Sequence, residues 1–270
     1  MKLACITQIR NEAPRLVDWI KYHSKVIGFD HFLFYLDNCT DESESILKSL
    51  QGEYSIEIKQ VPNVGEYPDY EVGRSNFFDA SDPRMSSNLV NSNWIAERQC
   101  ISFTEGFNTI KGEFDWIGVF DVDEWIVPQD LNDFNFKNEL SSFTTNALYL
   151  QTYDFRPPYD YSKKIIEQNM HRWTLEEKMS VEMRGTGKTI FRGKICLGHN
   201  PRVGVHWGPE SREYASVECG NATTGLTGYK KYLLYQFRAH TDNCKRPLTD
   251  DQYQLFDDSL VKLFQMYDLV

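Results

Sequence analysis

At 270 residues, 41% hydrophobic and 25% charged, the chain is long enough for one large domain or two small ones and has an ordinary globular composition. A net charge of −10 argues against a nucleic-acid partner, which would need a basic face to meet phosphates. No apolar run reaches 18 residues, the start turns polar too soon for a signal peptide, and six scattered cysteines without a Cys-x-x-Cys pair point to reduced thiols in the cytoplasm.

In chain order, Leu3 to Ile9 reads as a β-strand that ends in Arg10-Asn11-Glu12-Ala13-Pro14. Pro14 suits the first turn of a helix, whose apolar face is Leu16, Trp19, Ile20, His23 and Ile27, and Gly28 stops it. His31 to Leu36 is a second strand leaving through Asp37-Asn38-Cys39-Thr40-Asp41. A short helix follows, with Ile46, Leu47 and Leu50 on one side, then a third strand over Tyr54 to Val61. This β-α-β-α-β rhythm predicts a parallel sheet with right-handed crossovers. Pro62 to Asn91 has no period and reads as a binding loop or lid. Ser92 is expected to cap a helix through about Phe107 that carries Arg98.

The run Trp116 to Phe120 then has the character of a strand buried on both faces, and it ends in Asp121, Asp123 and Glu124. Burying three like charges costs several kcal/mol each unless a cation neutralises them. On an extended strand Asp121 and Asp123 point one way and Val122 the other, into the core. Asp-x-Asp is also common as a solvated turn, but here it is embedded in apolar sequence that continues through Trp125-Ile126-Val127-Pro128. Carboxylates so placed suit Mg²⁺ or Mn²⁺ shared with phosphate oxygens.

After Pro128, strands are expected at Ala147 to Phe155 and Lys188 to Arg192. Thr249 and Gln252 have capping-box spacing ahead of a closing helix whose buried stripe is Tyr253, Phe256, Leu260, Leu263, Phe264 and Tyr267. In open α/β sheets ligands bind outside the carboxyl ends of the strands, where Thr7 to Glu12, Asp37 to Asp41 and Asp121 to Glu124 all fall. Asp37 there suits either hydrogen bonds from ribose hydroxyls or a base, or a helix N-cap or turn, and Asn11 either a backbone or side-chain contact or a turn. No Gly-x-Gly-x-x-Gly follows the first strand, and Gly187-Lys188-Thr189 lacks the first glycine of a phosphate loop, since Glu182 stands there. Neither Gly-x-Ser-x-Gly nor His-Glu-x-x-His occurs.

The pattern Arg10-Asn11-Glu12-Ala13-Pro14, Trp19-Ile20, His23, Gly28-Phe29-Asp30-His31, Tyr35-Leu36-Asp37-Asn38-Cys39-Thr40-Asp41 and Trp116 to Pro128 resembles the GT-A-fold glycosyltransferases. Within them it looks most like glycosyltransferase family 2 and the related family 92 group, and Lys188 to Arg192 with His206 are similar to that group's C-terminal pattern. The resemblance implies one α/β (Rossmann-like) GT-A domain, with residues 1–128 as the nucleotide-sugar half and 129–270 as the acceptor half. It implies an inverting transferase, in surface polysaccharide synthesis, with a nucleotide-diphosphate sugar (often a UDP-sugar) as donor and a glycan or lipid-linked acceptor at the cytoplasmic face of a membrane. Thr7, Arg10, Asn11, Glu12, Asp37, Arg98, Asp121 and Lys188 are then expected to hold the donor. Asp121, Asp123 and a histidine, His206 or else His240, would bind Mn²⁺ or Mg²⁺. The family's usual Glu-Asp pair is absent after Pro128, so the base that takes the acceptor's proton is sought at Asp154, with Glu176 or Glu177 behind it. A sugar-phosphate nucleotidyltransferase and a catalytically silent sugar- or nucleotide-binding module are the alternatives.

Overall fold

The computed structural model describes residues 1–62, 87–143, 147–155, 160, 163–168, 170–172, 187–194, 203, 231–237 and 255–269. The first part follows the expected rhythm: β1 (Leu3–Ile9), α1 (Ala13–Tyr22), β2 (His31–Leu36), α2 (Ser43–Leu50) and β3 (Ile56–Gln60). A π-helical turn, His23–Ile27, ends α1, and Gly28 closes it at φ +91°, the left-handed conformation that glycine adopts without a Cβ clash. Next come α3 (Ser87–Ile110), β4 (Trp116–Val119), β5 (Glu124–Pro128), α4 (Phe136–Ser142) and β6 (Ala147–Asp154). A 3-10 turn (Ile165–Glu167), two-residue β7 (His171–Arg172), β8 (Gly187–Arg192), β9 (Tyr232–Gln236), β10 (Leu255–Phe256) and α5 (Ser259–Met266) complete the described elements.

Eight strands form one sheet in the order β3-β2-β1-β4-β8-β6-β9-β5. β3, β2, β1 and β4 are mutually parallel, β8 is antiparallel to both β4 and β6, β9 is parallel to β6, and β5 antiparallel to β9. Alternation sorts the first strands onto two faces. Leu3, Cys5, Ile9, Phe32 and Phe34 pack with Leu16, Trp19, Ile20 and Leu47 of α1 and α2. Ala4, Ile6, Leu33 and Tyr35 pack with Phe103, Phe107 and Ile110 of α3. Helices therefore cover both faces, and the winding reverses between β1 and β4, where open α/β sheets hold their ligands.

β1, β2, β3, β4, β6 and β9 all end at the same edge of the sheet, and β5 and β8 begin there. Among the described residues, the second edge of outermost strand β5 is closed by α1 and the π-helical turn that ends it rather than by another strand. Trp19 Nε1 donates to Glu124 O (2.8 Å), Tyr22 Oη to Ile126 O (2.7 Å), and Ile126 N donates to His23 Nε2 (3.4 Å). Side chains one helical turn apart thus satisfy alternate peptide groups of an otherwise open strand.

Four expectations change. The segment Trp116 to Pro128 is not one extended run: β4 stops at Val119, and Asp121 to Asp123 form a turn closed by Glu124 N donating to Asp121 O at 3.0 Å. The Glu124 side chain accepts from Asp121 N (2.9 Å), a local bond that competes with continuation of the ladder. Val122 is buried as expected. Helix α3 starts at Ser87, so Ser92 lies within it; nothing in Ser-Asn-Leu-Val-Asn breaks a helix. The closing helix starts at Ser259, and of its expected stripe Leu260, Leu263 and Phe264 are buried. Phe256 instead sits exposed on β10, Tyr267 is partly exposed after the helix, and Thr249, Gln252 and Tyr253 lie outside the described residues. Strand β9 was not anticipated. The expected lid, apart from its ends, lies outside the described residues as well.

Candidate active site

The turn after β4 gathers the three carboxylates in a way that strand alternation could not. Asp121, Asp123 and Glu124 each bring an oxygen within 4.8 Å of the others. The two aspartates are half-buried, whereas Glu124, first residue of β5, is only 2% exposed. Lys188, at the start of β8, is fully buried and donates from Nζ to Asp121 Oδ2 (2.7 Å), with Glu124 Oε2 at 3.6 Å. Burial drives the Glu124 carboxyl well above the usual carboxylate range, against the pull of Lys188 and with Asp121 and Asp123 reinforcing the rise. Burial works to lower Lys188, but the charges of Asp121 and Glu124 outweigh it and hold the ammonium above its ordinary range.

Helix α3 ties this cluster to the end of β2. Gln99 Nε2 donates to Asp121 Oδ1 (2.9 Å), while the preceding residue, Arg98, grips Asp37 through Nη2 to Oδ1 (2.5 Å) and Nε to Oδ2 (3.2 Å). One turn on, Ser102 Oγ donates to Gln8 Oε1 (2.8 Å), and Gln8 Nε2 donates to Asp37 Oδ2 (3.1 Å). Asp37 is buried, so the two-point guanidinium contact is what makes its charge tolerable there.

The loop after β1 forms the third wall. Arg15 is buried, donates from Nη1 to Phe237 O (3.3 Å) and holds Nε 3.4 Å from Glu12 Oε2. Phe237 N in turn donates to Asp123 O (2.9 Å), and Gln236 Nε2 to Asp123 Oδ2 (3.4 Å), which anchors the turn from β9. Burial pushes the Glu12 carboxyl up to about 7, against Arg15 and with Asp123, Asp121 and Asp41 adding to the rise. Asn11, at φ 58°, accepts from Thr40 N (2.7 Å), and Asp41 Oδ2 accepts from Ala13 N (3.0 Å), so these side chains join the two loops to each other.

Of the residues expected to hold the donor, Glu12, Asp37, Arg98, Asp121 and Lys188 come together in this network. Arg10 and Asn11 are exposed at the same edge. Thr7 is fully buried with Oγ1 unpartnered, so no ligand reaches it in this arrangement. For Asp154 the described part is backbone: it pairs with Gln236, which pairs with Glu124, so the residue stands at the ligand edge. Glu176, Glu177, His206 and His240 lie outside the described residues. Gln8, Arg15, Gln99 and Gln236 were not anticipated; nothing in their local sequence marks them, because each acts on a distant strand end.

A divalent cation fits this donor set. All three groups offer hard oxygens, and they converge within 4.8 Å at the sheet's switch point.

The sequence pattern of glycosyltransferase family 92 matches residues 3–206. The chain belongs to glycosyltransferase family 92. The match takes in every strand end described above as far as Lys188 and reaches His206. The doubly wound parallel half and mixed second half of this family 92 chain meet the expectation of an α/β GT-A sheet. Among curated proteins, no sequence matches it. Solved structures with which it aligns include S. aureus TarS 1–349, at 11% identity and TM-score 0.41, over 87% of this chain and 57% of that one. Glucosyl-3-phosphoglycerate synthase from Mycobacterium tuberculosis, in complex with Mn²⁺, uridine diphosphate and glucosyl-3-phosphoglycerate, aligns at 9% identity and TM-score 0.35, over 72% of this chain and 57% of that one. Core-mannan synthase A from Aspergillus fumigatus, in its Mn/GDP form, aligns at 13% identity and TM-score 0.29, over 57% and 41%. The chain spans about half the length of the solved structures it matches.

Proposed function

We propose that this family 92 chain is a metal-dependent glycosyltransferase that moves a sugar from a nucleotide-diphosphate sugar, a UDP-sugar in the simplest case, to a hydroxyl of a glycan or lipid-linked acceptor. The observation that carries the reading is the convergence of Asp121, Asp123 and Glu124 within 4.8 Å at the crevice between β1 and β4. Asp121 and Asp123 would hold Mn²⁺ or Mg²⁺, with His206 proposed as a further ligand; when bound, the ion supplies positive charge to the leaving diphosphate. Arg98 and Asp37 set the floor for the nucleoside end, since their pairing fixes acceptor oxygens at the end of β2. In an inverting transfer the acceptor oxygen bonds to the anomeric carbon as the bond to the diphosphate breaks, and a carboxylate takes the hydroxyl proton. Asp154 is our candidate for that base because its backbone sits at the same edge as Glu124.

Two measurements test this. A panel of nucleotide-diphosphate sugars is assayed with Mn²⁺ for release of nucleotide diphosphate, which a silent binding module does not produce. Calorimetric Mn²⁺ titration then compares wild type with Asp121→Ala and Asp123→Ala, each expected to lose metal binding and turnover while staying folded. Wild-type affinity in both variants would sink the metal assignment.

A further inference from the structure

Beside two of the three carboxylates stands a buried lysine. Lys188 is fully buried, so its ammonium reaches no bulk solvent, and its two carboxylate neighbours are Asp121 at 2.7 Å and Glu124 at 3.6 Å. Strand β8 brings it there because that strand runs antiparallel to β4 and therefore begins at the edge where β4 ends. Stability alone does not call for a lysine: exchanging a buried ion pair for apolar side chains of similar size is often neutral or stabilising. Direct donor contact does not call for it either, because the side chain is fully buried and its Nζ is engaged by Asp121 and Glu124.

We propose that Lys188 is a positioning residue of the metal site, holding Asp121 and Glu124 in place before a divalent ion arrives and, as a fixed like charge, keeping the affinity for that ion moderate. The inference rests on the metal-site reading above. Without Lys188 the carboxylates would lose the cation that draws Asp121 and Glu124 together, and a divalent ion added to them would not meet its competing positive charge. Lys188 bridges Asp121 and Glu124, and Glu124 Oε2 also accepts from Asp121 N at 2.9 Å, which ties it to the turn. Asp123 is held separately, from β9, by Gln236.

The test is Mn²⁺ titration by calorimetry, with thermal unfolding in metal-free and Mn²⁺-containing buffer, on wild type, Lys188→Met, Lys188→Arg, Glu124→Gln and the double variant Lys188→Met/Glu124→Gln. Lys188→Met is expected to melt lower than wild type without metal, to bind Mn²⁺ at least about tenfold more tightly, and to gain more from Mn²⁺ in melting temperature. Lys188→Arg, which keeps the charge, should bind Mn²⁺ close to wild type. Glu124→Gln should bind about tenfold more weakly, and the double variant should return toward wild type because both charges go together. That last pair decides the matter if Lys188→Met does not fold. A double variant that binds Mn²⁺ no better than Glu124→Gln overturns the inference, as does a Lys188→Met protein with wild-type affinity. Absence of Mn²⁺ binding in the wild type itself overturns the metal-site reading and this inference with it.

Discussion

His23 shows how a single buried side chain couples this fold to pH. Its Nδ1 lies 2.9 Å from Trp19 O, a carbonyl that can only accept, so the proton is on Nδ1. Nε2 must then be the acceptor for Ile126 N–H, and adding a second proton would turn an attraction into a clash of donors. Burial lowers its pKa from 6.5 to about 3, against the raising effect of the Trp19 carbonyl. Because the folded value lies below the unfolded one, this contribution to stability is whole above pH 6.5 and declines as pH falls toward about 3. At about 1.4 kcal/mol per pH unit, the loss from pH 6.5 to pH 5 is about 2 kcal/mol. Urea unfolding across that window should show the slope, and His23→Gln should flatten it. From sequence, His23 was legible as a residue of the buried helix face; its work on Ile126, 103 positions away, was not.

Helix α3 is the element on which the site's geometry depends, and Gly106 decides how closely it approaches the sheet. A Cβ there would stand 2.9 Å from Ile6 Cγ2, 3.1 Å from Tyr35 Cε2 and 3.2 Å from Leu33 Cδ2. Gly106→Ala gains about 1 kcal/mol of helix propensity but forces about 1–3 kcal/mol of overpacking against β1 and β2. We expect a net loss of about 1 kcal/mol in urea unfolding and weaker nucleotide binding, because α3 also carries Arg98 and Gln99 to Asp37 and Asp121. A rise in stability would show that propensity wins. The early elements were legible because periods of two and 3.6 alternate and Gly28 marks a stop. The Asp121 to Asp123 turn was not legible. Asp-Val-Asp fits a strand as well as a turn until the Glu124 carboxylate is seen accepting from Asp121 N. Nor was the link between Lys188 and Asp121, which joins residues 67 positions apart.

For the molecule as a whole, ligand binding and folding are linked through the same edge. Mn²⁺ with the right nucleotide diphosphate at about 100 times its dissociation constant should add about 2.7 kcal/mol to unfolding stability. Differential scanning with each nucleotide diphosphate in turn reads that gain, and Asp123→Ala should abolish it; stabilisation without metal would speak for a different binding mode. The strand directions carry a practical corollary. With six strands ending and two beginning at one rim, the opposite rim, among the described residues, holds connections that reverse the chain, such as the exposed Gln129-Asp130 and Asn132-Asp133 stretch after β5. A surface tether, fluorophore or affinity tag fixed there would present every molecule with its carboxylate-bearing rim turned outward.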